Sequence, residues 1–393
     1  MDTQQDITIR VKDAMSEIAP DSWDACANPR EESFNPFISH AFLSTLELSG
    51  CVRRKTGWLP QHLVLEDANG AVLGAMPLYL KSHSRGEYVF DYGWADAYER
   101  AGGRYYPKLQ SCVPFTPVTG ARLLVAEGPD RAAVESALLG GAVELVHLHK
   151  ASSLHITFLR EGEWRRHGDE RILQRTDQQF HWENQGYQSF EDFLESLASR
   201  KRKAIRKERR EALAPGITIE HLRGTEITEA HWDAFFAFYR DTGGRKWGTP
   251  YLNRAFFSLI GEAMPDAVLL TICKRAGLMI AGALSFIGGG TLYGRYWGAI
   301  EHHSFLHFET CYYQAIDYAI ANGIARVEAG AQGEHKLARG YMPKTTYSLH
   351  YLAHPGLRRA VAAFLDEERR AVSEEIGILT EHGPFKKSDA ETN

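Results

Sequence analysis

Cysteine is scarce and poorly placed for cross-linking: the 393-residue chain has five, Cys26, Cys51, Cys112, Cys273 and Cys311, far apart and with no C-x-x-C pair. An odd number so scattered builds neither a disulfide framework nor a zinc ribbon, so buried thiols are expected. Long apolar runs are missing as well. No window approaches the ~18 consecutive apolar residues of a membrane span, and the polar start, Met1 to Arg10, has no apolar core of signal-peptide length. A cytoplasmic protein without stable membrane insertion is therefore expected. Nor is there a large excess of charge, since 45 Lys and Arg face 50 Asp and Glu for a net of −5. That balance argues against a general nucleic-acid binder.

What is present suits ordinary globular cores: 44% hydrophobic residues, with 19 Phe, 17 Tyr and 8 Trp. The length exceeds what one core usually supports and predicts two domains of roughly 150 to 200 residues. Asp21 to Ala27 and Ser39 to Leu48 read as helices, with Asp21 and Ser39 suited to cap them. His62 to Glu66 and Ala71 to Leu80 flank Asp67-Ala68-Asn69-Gly70, a turn whose Asn-Gly suits a β-hairpin, and Tyr88 to Tyr92 reads as a third strand. Glycines and prolines make Trp94 to Thr119 a long irregular segment. Helix Arg131 to His149 and strands Leu154 to Phe158 and Arg175 to Glu183 complete a first half.

Ser189 and Asp192 resemble a capping box that opens a helix running on into a basic stretch, which Pro215-Gly216 ends. The second half then reads helix Glu229 to Thr242, helix Asn253 to Met264, strands Val268 to Cys273, Leu278 to Ile287 and Thr291 to Trp297, helix Leu306 to Asn322 and strand Arg326 to Glu328. Its order is ααβββαβ. Leu63 to Leu80 aligns without a gap on Leu270 to Ile287, placing Gly70 on Gly277, and each segment follows two helices and precedes an aromatic strand. This predicts an internal duplication. The expected division is an N-terminal half over 1–185, a basic helical connector over 186–215, and a C-terminal half over 216–393 that ends in a long amphipathic helix, Arg358 to Thr380, and a frayed tail.

The ααβββαβ order resembles the acetyltransferase (GNAT) fold, and two such halves in tandem resemble the Fem-type peptidoglycan aminoacyltransferases. Three segments sharpen the resemblance to the FemAB-like N-acyltransferases: Ser189 to Leu194 with Arg200 to Arg210, Leu306 to Tyr313, and Gly330 to Lys336 with Arg339-Gly340. The fold class it implies is layered α/β with tandem GNAT-like halves. The activity it implies is transfer of an acyl or aminoacyl group to a primary amine, with a cell-wall precursor as one acceptor class. No tightly bound cofactor is implied; acyl-CoA or aminoacyl-tRNA serves as co-substrate. One departure bears on the donor. The glycine-rich loop that grips the pyrophosphate of coenzyme A in typical acetyltransferases is replaced by Gly298-Ala299-Ile300-Glu301-His302-His303-Ser304-Phe305-Leu306-His307.

Amide formation needs an attacking amine, donors for the developing oxyanion and a proton acceptor. Glu328 to Lys336 combines acids and a histidine with glycines that allow close backbone approach. Glu334 or His335 is the candidate proton acceptor, Glu328 an orienting acid, and Lys336 with Arg339 the candidate binders of phosphate or carboxylate. Tyr296, Trp297, His307, Glu309 and the acid Asp91, which needs a partner or a ligand amine inside an aromatic segment, are candidate substrate contacts. His303 and His307 lie four apart near Glu301 and Glu309, but no third partner is evident and no metal is expected. Arg200, Lys201, Arg202, Lys203, Arg206, Lys207, Arg209 and Arg210 form a cationic helix face that either binds a polyanion such as tRNA or is solvated and balanced by nearby acids. On these residues an aminoacyl-tRNA donor is slightly favoured over acyl-CoA. A polyanion- or cell-wall-binding protein without catalysis is the alternative.

Overall fold

A computed structural model describes residues 7–386 apart from 247, 249, 331 and 332. The chain forms two compact units, Met1–Asp177 with Thr345–Ser373 and Gln178–Lys344 with Glu374–Asn393. The division thus falls earlier than the expected 185, the basic segment is part of the second unit, and the segment after Lys344 returns to the first. Of the three divisions, two lie within strands, Ile172–Glu183 and Met342–Leu352, and the third, after Ser373, within helix Pro355–Glu381.

In the first unit, strands Thr8–Lys12, His62–Glu66, Val72–Met76 and Leu124–Val125 form an antiparallel sheet in that order. Strands Ser153–Leu159 and Lys108–Ser111 pair in parallel, with Tyr79–Lys81 and Trp58–Pro60 continuing beyond Lys108–Ser111. Helix Arg131–Leu148, capped by the Asp130 carboxylate, buries Val134, Leu138 and Val146 with Leu63, Met76, Leu109 and Ile156. In the second unit the order is Ile217–Arg223, Val268–Arg275, Leu278–Gly288, Thr291–Ala299, Arg326–Glu328 and the end of Ile172–Glu183. All its pairs are antiparallel except Thr291–Ala299 with Arg326–Glu328. The connection between those two strands is the helical run 306–321, as the right-handed crossover of a parallel pair requires.

The two hairpins that align in sequence also match in geometry. Gly70 and Gly277 both turn with positive φ, 82° and 79°, the region glycine enters without steric cost. Each hairpin carries a register shift, between Leu65 and Glu66 and between Cys273 and Lys274. The third strand of the first half does not form. Tyr88 has φ 62° and the chain enters helix Tyr92–Arg100 instead, because Glu87 and Asp91 are drawn inward by Lys108, whose Nζ donates to them at 2.6 and 2.5 Å. The irregular segment expected over Trp94 to Thr119 accordingly holds that helix and strand Lys108–Ser111.

Ser39 and Ser189 cap helices as expected, whereas Asp21 sits in the first turn of Pro20–Ala27. The capping-box helix stops at Ser196, and the basic helix Ser199–Leu213 starts anew after Leu197 is buried. Among the described residues no helix is long and apolar enough to cross a membrane.

Candidate active site in the second unit

Strand Thr291–Ala299 sets the site through two irregularities. Against Leu278–Gly288 its register shifts, so that Leu284 faces Tyr296 while Ser285 faces Gly294, and Arg295 is the extra residue of a β-bulge. Against Arg326–Glu328 its parallel pairing ends at Tyr293–Glu328. Beyond that point lies a cavity of about 100 Å3, lined by Gly294, Arg295, Tyr296, Trp297 and Ala329 and closed by His307, Cys311 and Tyr312 of the helical run.

The bulge aims Arg295 inward. Its Nη2 donates to Glu328 Oε2 at 2.9 Å and its Nη1 to the Glu328 carbonyl at 3.3 Å. Both side chains are almost wholly buried, so each neutralises a charge the other would otherwise strand in a low-dielectric interior. His181 Nε2 lies 4.0 Å from the other Glu328 oxygen. Glu328 therefore orients Arg295, a residue the sequence reading did not single out. The signal was available: a cation within an aromatic strand needs an acid, the argument applied to Asp91.

The helical run is interrupted by a π-helical turn, Glu309–Tyr313, a feature found mostly where function distorts a helix. Thr310 Oγ1 donates to the Leu306 carbonyl at 2.8 Å and Gln314 Nε2 to Glu309 Oε1 at 2.7 Å. The Thr310 bond competes with the backbone ladder for the Leu306 carbonyl. The turn presents Tyr312, whose hydroxyl shares a hydrogen bond with His335 Nε2 at 3.0 Å. Burial pushes the Tyr312 phenol far above its usual range, so it stays neutral and acts as a hydrogen-bonding group. Gly333, with φ 112°, comes so close to the imidazole that an added Cβ would meet His335 Cε1 at 2.4 Å.

His335 packs beside Phe308, Tyr312 and His307, and Trp297 lies 5.4 Å from His307. Arg339 braces this group. Its guanidinium sits 3.6 Å over the Phe308 ring, donates to the His335 carbonyl at 2.7 Å and pairs with Glu208 at 2.8 Å. With those bonds made, Arg339 is a support for the site and not the open phosphate binder expected. Lys336 is buried, donates to the Gly330 carbonyl at 3.0 Å, and is lowered to about 8 by burial and then by Arg295. The Glu334 side chain lies outside the described residues.

Two further candidates are structural. Glu309 is fully buried and held by Arg209 and Gln314; it cannot meet a substrate. Asp91 belongs to the first unit, where its Oδ2 accepts from Lys108 and Tyr105. Burial works against its charge, but Lys108 and His155 overcome that and hold its carboxyl below the usual range. The basic helix is also divided in role. Arg209 turns inward, bridging Glu309 and Asp317 at 3.0 and 2.6 Å over the Phe190 ring. Arg206 pairs with Glu191 and Lys207 with Glu211, while Lys201 and Arg202 are half-buried and Arg200, Lys203 and Arg210 are exposed.

The remaining lining is mixed: His221, Thr271, Ser285 and Thr310 are polar, and Leu269, Ala283, Leu292 and Ala315 are apolar. His221 Nδ1 shares a hydrogen bond with Thr271 at 3.0 Å and its Nε2 one with Gln314 at 3.1 Å, while burial lowers its pKa. Of the five cysteines only Cys311 is less than fully buried. Among the described residues no group of three or more potential metal ligands occurs.

The parallel pair opened beyond its last register position, with a helix crossing over it, defines an α/β fold of the Fem type. FemX matches over 91% of this chain and 100% of its own, with 13% identity and a TM-score of 0.51. L-PGS from Bacillus licheniformis matches over 82% and 95%, with 9% identity and a TM-score of 0.50. The C-terminal domain of a putative lysylphosphatidylglycerol synthetase from Agrobacterium fabrum matches over 88% and 95%, with 7% identity and a TM-score of 0.53. Residues 14–387 match the FemAB-like family, described as peptidoglycan biosynthesis/recognition, and the chain belongs to that family. No curated protein matches the sequence.

Proposed function

We propose that this protein is an N-acyltransferase that moves an aminoacyl or acyl group from an activated ester to a primary amine, with the carbonyl held at the cavity beside Arg295. The observation that carries the reading is a cavity lined by Arg295 and Tyr312 at the end of the parallel pairing, with His335 hydrogen-bonded to Tyr312 and the buried Lys336 near enough to Arg295 to feel its charge. The amine nitrogen attacks the carbonyl carbon, a C–N bond forms, and the ester C–O bond breaks. The His335 imidazole, oriented by Tyr312, accepts the proton the amine loses, and the departing alkoxide takes up a proton in turn. Arg295, fixed by Glu328, and the Lys336 ammonium supply positive potential to the oxyanion in a buried setting where such charges act strongly.

Aminoacyl-tRNA is the favoured donor, supported by the exposed cations of the basic helix and by the segment 298–307, which in place of a glycine-rich pyrophosphate loop has Gly298 alone and an acid, Glu301. The family description, peptidoglycan biosynthesis/recognition, supports an amine of a cell-wall precursor as acceptor. The test is transfer of a labelled acyl group from charged tRNA or from acyl-CoA to a panel of primary amines. Amide product that disappears in His335→Ala is the expected result. Tight acceptor binding with no product from either donor would establish the non-catalytic recognition role instead.

A further inference from the structure

The cationic run 200–210 contains one acid, Glu208. A carboxylate on a helix that attracts polyanions works against that attraction, so its role lies elsewhere. The outer ion pairs of helix Ser199–Leu213 do not involve it, since Arg206 takes Glu191 and Lys207 takes Glu211. Glu208 stands instead on the stripe Ile205, Glu208, Arg209 and Ala212, at the i, i+3, i+4, i+7 spacing of one helix face, half-buried or buried throughout. There its Oε2 accepts from two groups at once, the Tyr313 hydroxyl and, at 2.8 Å, Arg339 Nη2. Each of these groups is joined to one partner of the Tyr312–His335 bond. Tyr313 follows Tyr312 in the π turn, and Arg339 Nη1 donates to the His335 carbonyl at 2.7 Å.

We propose that Glu208 is a positioning residue for the transfer reaction: one carboxylate oxygen ties the π turn to the turn Glu334–Arg339 and so sets the Tyr312 hydroxyl against the His335 imidazole. The need for such a tie follows from where the two rings stand. Tyr312 is buried in a helical run. His335 is exposed and rides on a six-residue 3-10 turn, an element whose own hydrogen bonds have poorer geometry than those of an α-helix. Its alignment therefore depends on what grips the turn. Among the described residues Glu208 is the carboxylate that pairs with Arg339, and the two side chains are only 18% and 7% exposed. A charge-assisted bond so withdrawn from water is strong and directional. Without it the guanidinium keeps the Phe308 ring but loses the anchor of its second nitrogen. This inference rests on the proposed role of His335 and adds a residue of the basic helix that acts through Arg339 and Tyr313.

The tie is tested first without substrate, by heteronuclear NMR of the full chain. The imidazole signal of His335, assigned by its absence from His335→Ala, is compared in Tyr312→Phe, in Glu208→Gln and in Glu191→Gln, which frees Arg206 on the outer face of the same helix. The expected result is a shift in Tyr312→Phe, a shift of the same sense in Glu208→Gln, and none in Glu191→Gln. Arg339→Lys breaks the tie from its other end and takes the place of Glu208→Gln should that variant not fold. A His335 signal that stays in place in Glu208→Gln, or moves equally in Glu191→Gln, would overturn the proposal. With a donor and amine that give amide product, Glu208→Gln is expected to lower kcat by up to about 100-fold with KM little changed, and to add no further loss in His335→Ala. Additive losses in the double variant would count equally against it. Full activity in His335→Ala would instead remove the proposed proton acceptor, and the NMR comparison would still decide whether Glu208 holds the ring.

Discussion

The Tyr312 hydroxyl and the His335 imidazole, brought together by a π-helical turn and a glycine-flanked segment 21 residues further on, share a 3.0 Å hydrogen bond. In the proposed reaction that contact orients His335 as the proton acceptor. His335→Ala is expected to lower kcat by about 10²–10⁴, with Tyr312→Phe giving a smaller loss. Steady-state rates with a fixed donor and amine check this, and full activity in His335→Ala would remove His335 from the chemistry.

Lys336 provides a pH signature. Burial, then Arg295, lowers it from 10.5 to about 8, so it is largely protonated at neutral pH and loses its charge as pH rises through 8. If its ammonium stabilises the oxyanion, kcat/KM falls above about pH 8. Lys336→Arg should shift that limb upward and Lys336→Met should remove activity at all pH values. A wild-type profile flat from pH 7 to 9.5 contradicts the role.

The Arg295–Glu328 pair is nearly inaccessible to water, so removing one partner leaves a stranded charge. Glu328→Gln is expected to cost about 3–5 kcal/mol, visible as a lower urea midpoint, and also to reduce turnover because Arg295 loses its orientation. Unchanged stability would mean that Arg295 finds another acid.

Much of this was legible in sequence. The hairpins were, because alternation and Asn-Gly or Ala-Gly turns encode them locally, and so was the second-unit order from helix Glu229–Lys246 to strand Arg326–Glu328, but the edge strand Ile217–Arg223 ahead of it was missed. Strand Thr8–Lys12 was missed because it is short, with only Ile9 and Val11 apolar and every position exposed or half-buried. Strand Met342–Leu352 was missed because Pro343 and polar residues hide its buried end. The failure at Tyr88 to Tyr92 has a different cause: the apolar alternation is real, but the buried demand of Lys108 for carboxylates overrides it. Of the residues placed in the proposed site, His335, Lys336 and Trp297 stand out in the sequence by residue type. Arg295 and Tyr312 do not, since a register shift and a π turn are decided by long-range contacts.

The first unit carries a stability prediction. His155 Nδ1 and His350 Nδ1 are 2.7 Å apart and buried. Burial, then Lys108, pushes His155 from 6.5 down to about 3, and burial, then His155, pushes His350 well down too. Below pH 6.5 the unfolded chain takes up protons that the folded form refuses. Stability therefore falls as pH falls through this window, by up to about 1.4 kcal/mol per pH unit for each histidine. Glu87, raised by burial, acts in the opposite sense at lower pH. Urea midpoints at pH 7 and 5.5 should differ less in His350→Asn than in the wild type, and an equal difference would refute the neutral pair.

The basic helix separates into two behaviours. Replacing exposed Arg200, Lys203 or Arg210 with Ala should leave stability unchanged and reduce the salt dependence of tRNA binding by about one unit of slope each. Arg209→Ala should instead destabilise the fold, since it strands buried Glu309. Paired melting and binding curves for the four variants give the answer.

The most direct test of an aminoacyl donor is binding of the purified protein to charged tRNA, uncharged tRNA and a set of acyl-CoA thioesters at two salt concentrations. Preference for charged over uncharged tRNA, retained at the higher salt while overall affinity falls, is the predicted result. Saturable thioester binding with no discrimination between the two tRNAs would contradict it and make coenzyme A the carrier of the transferred group.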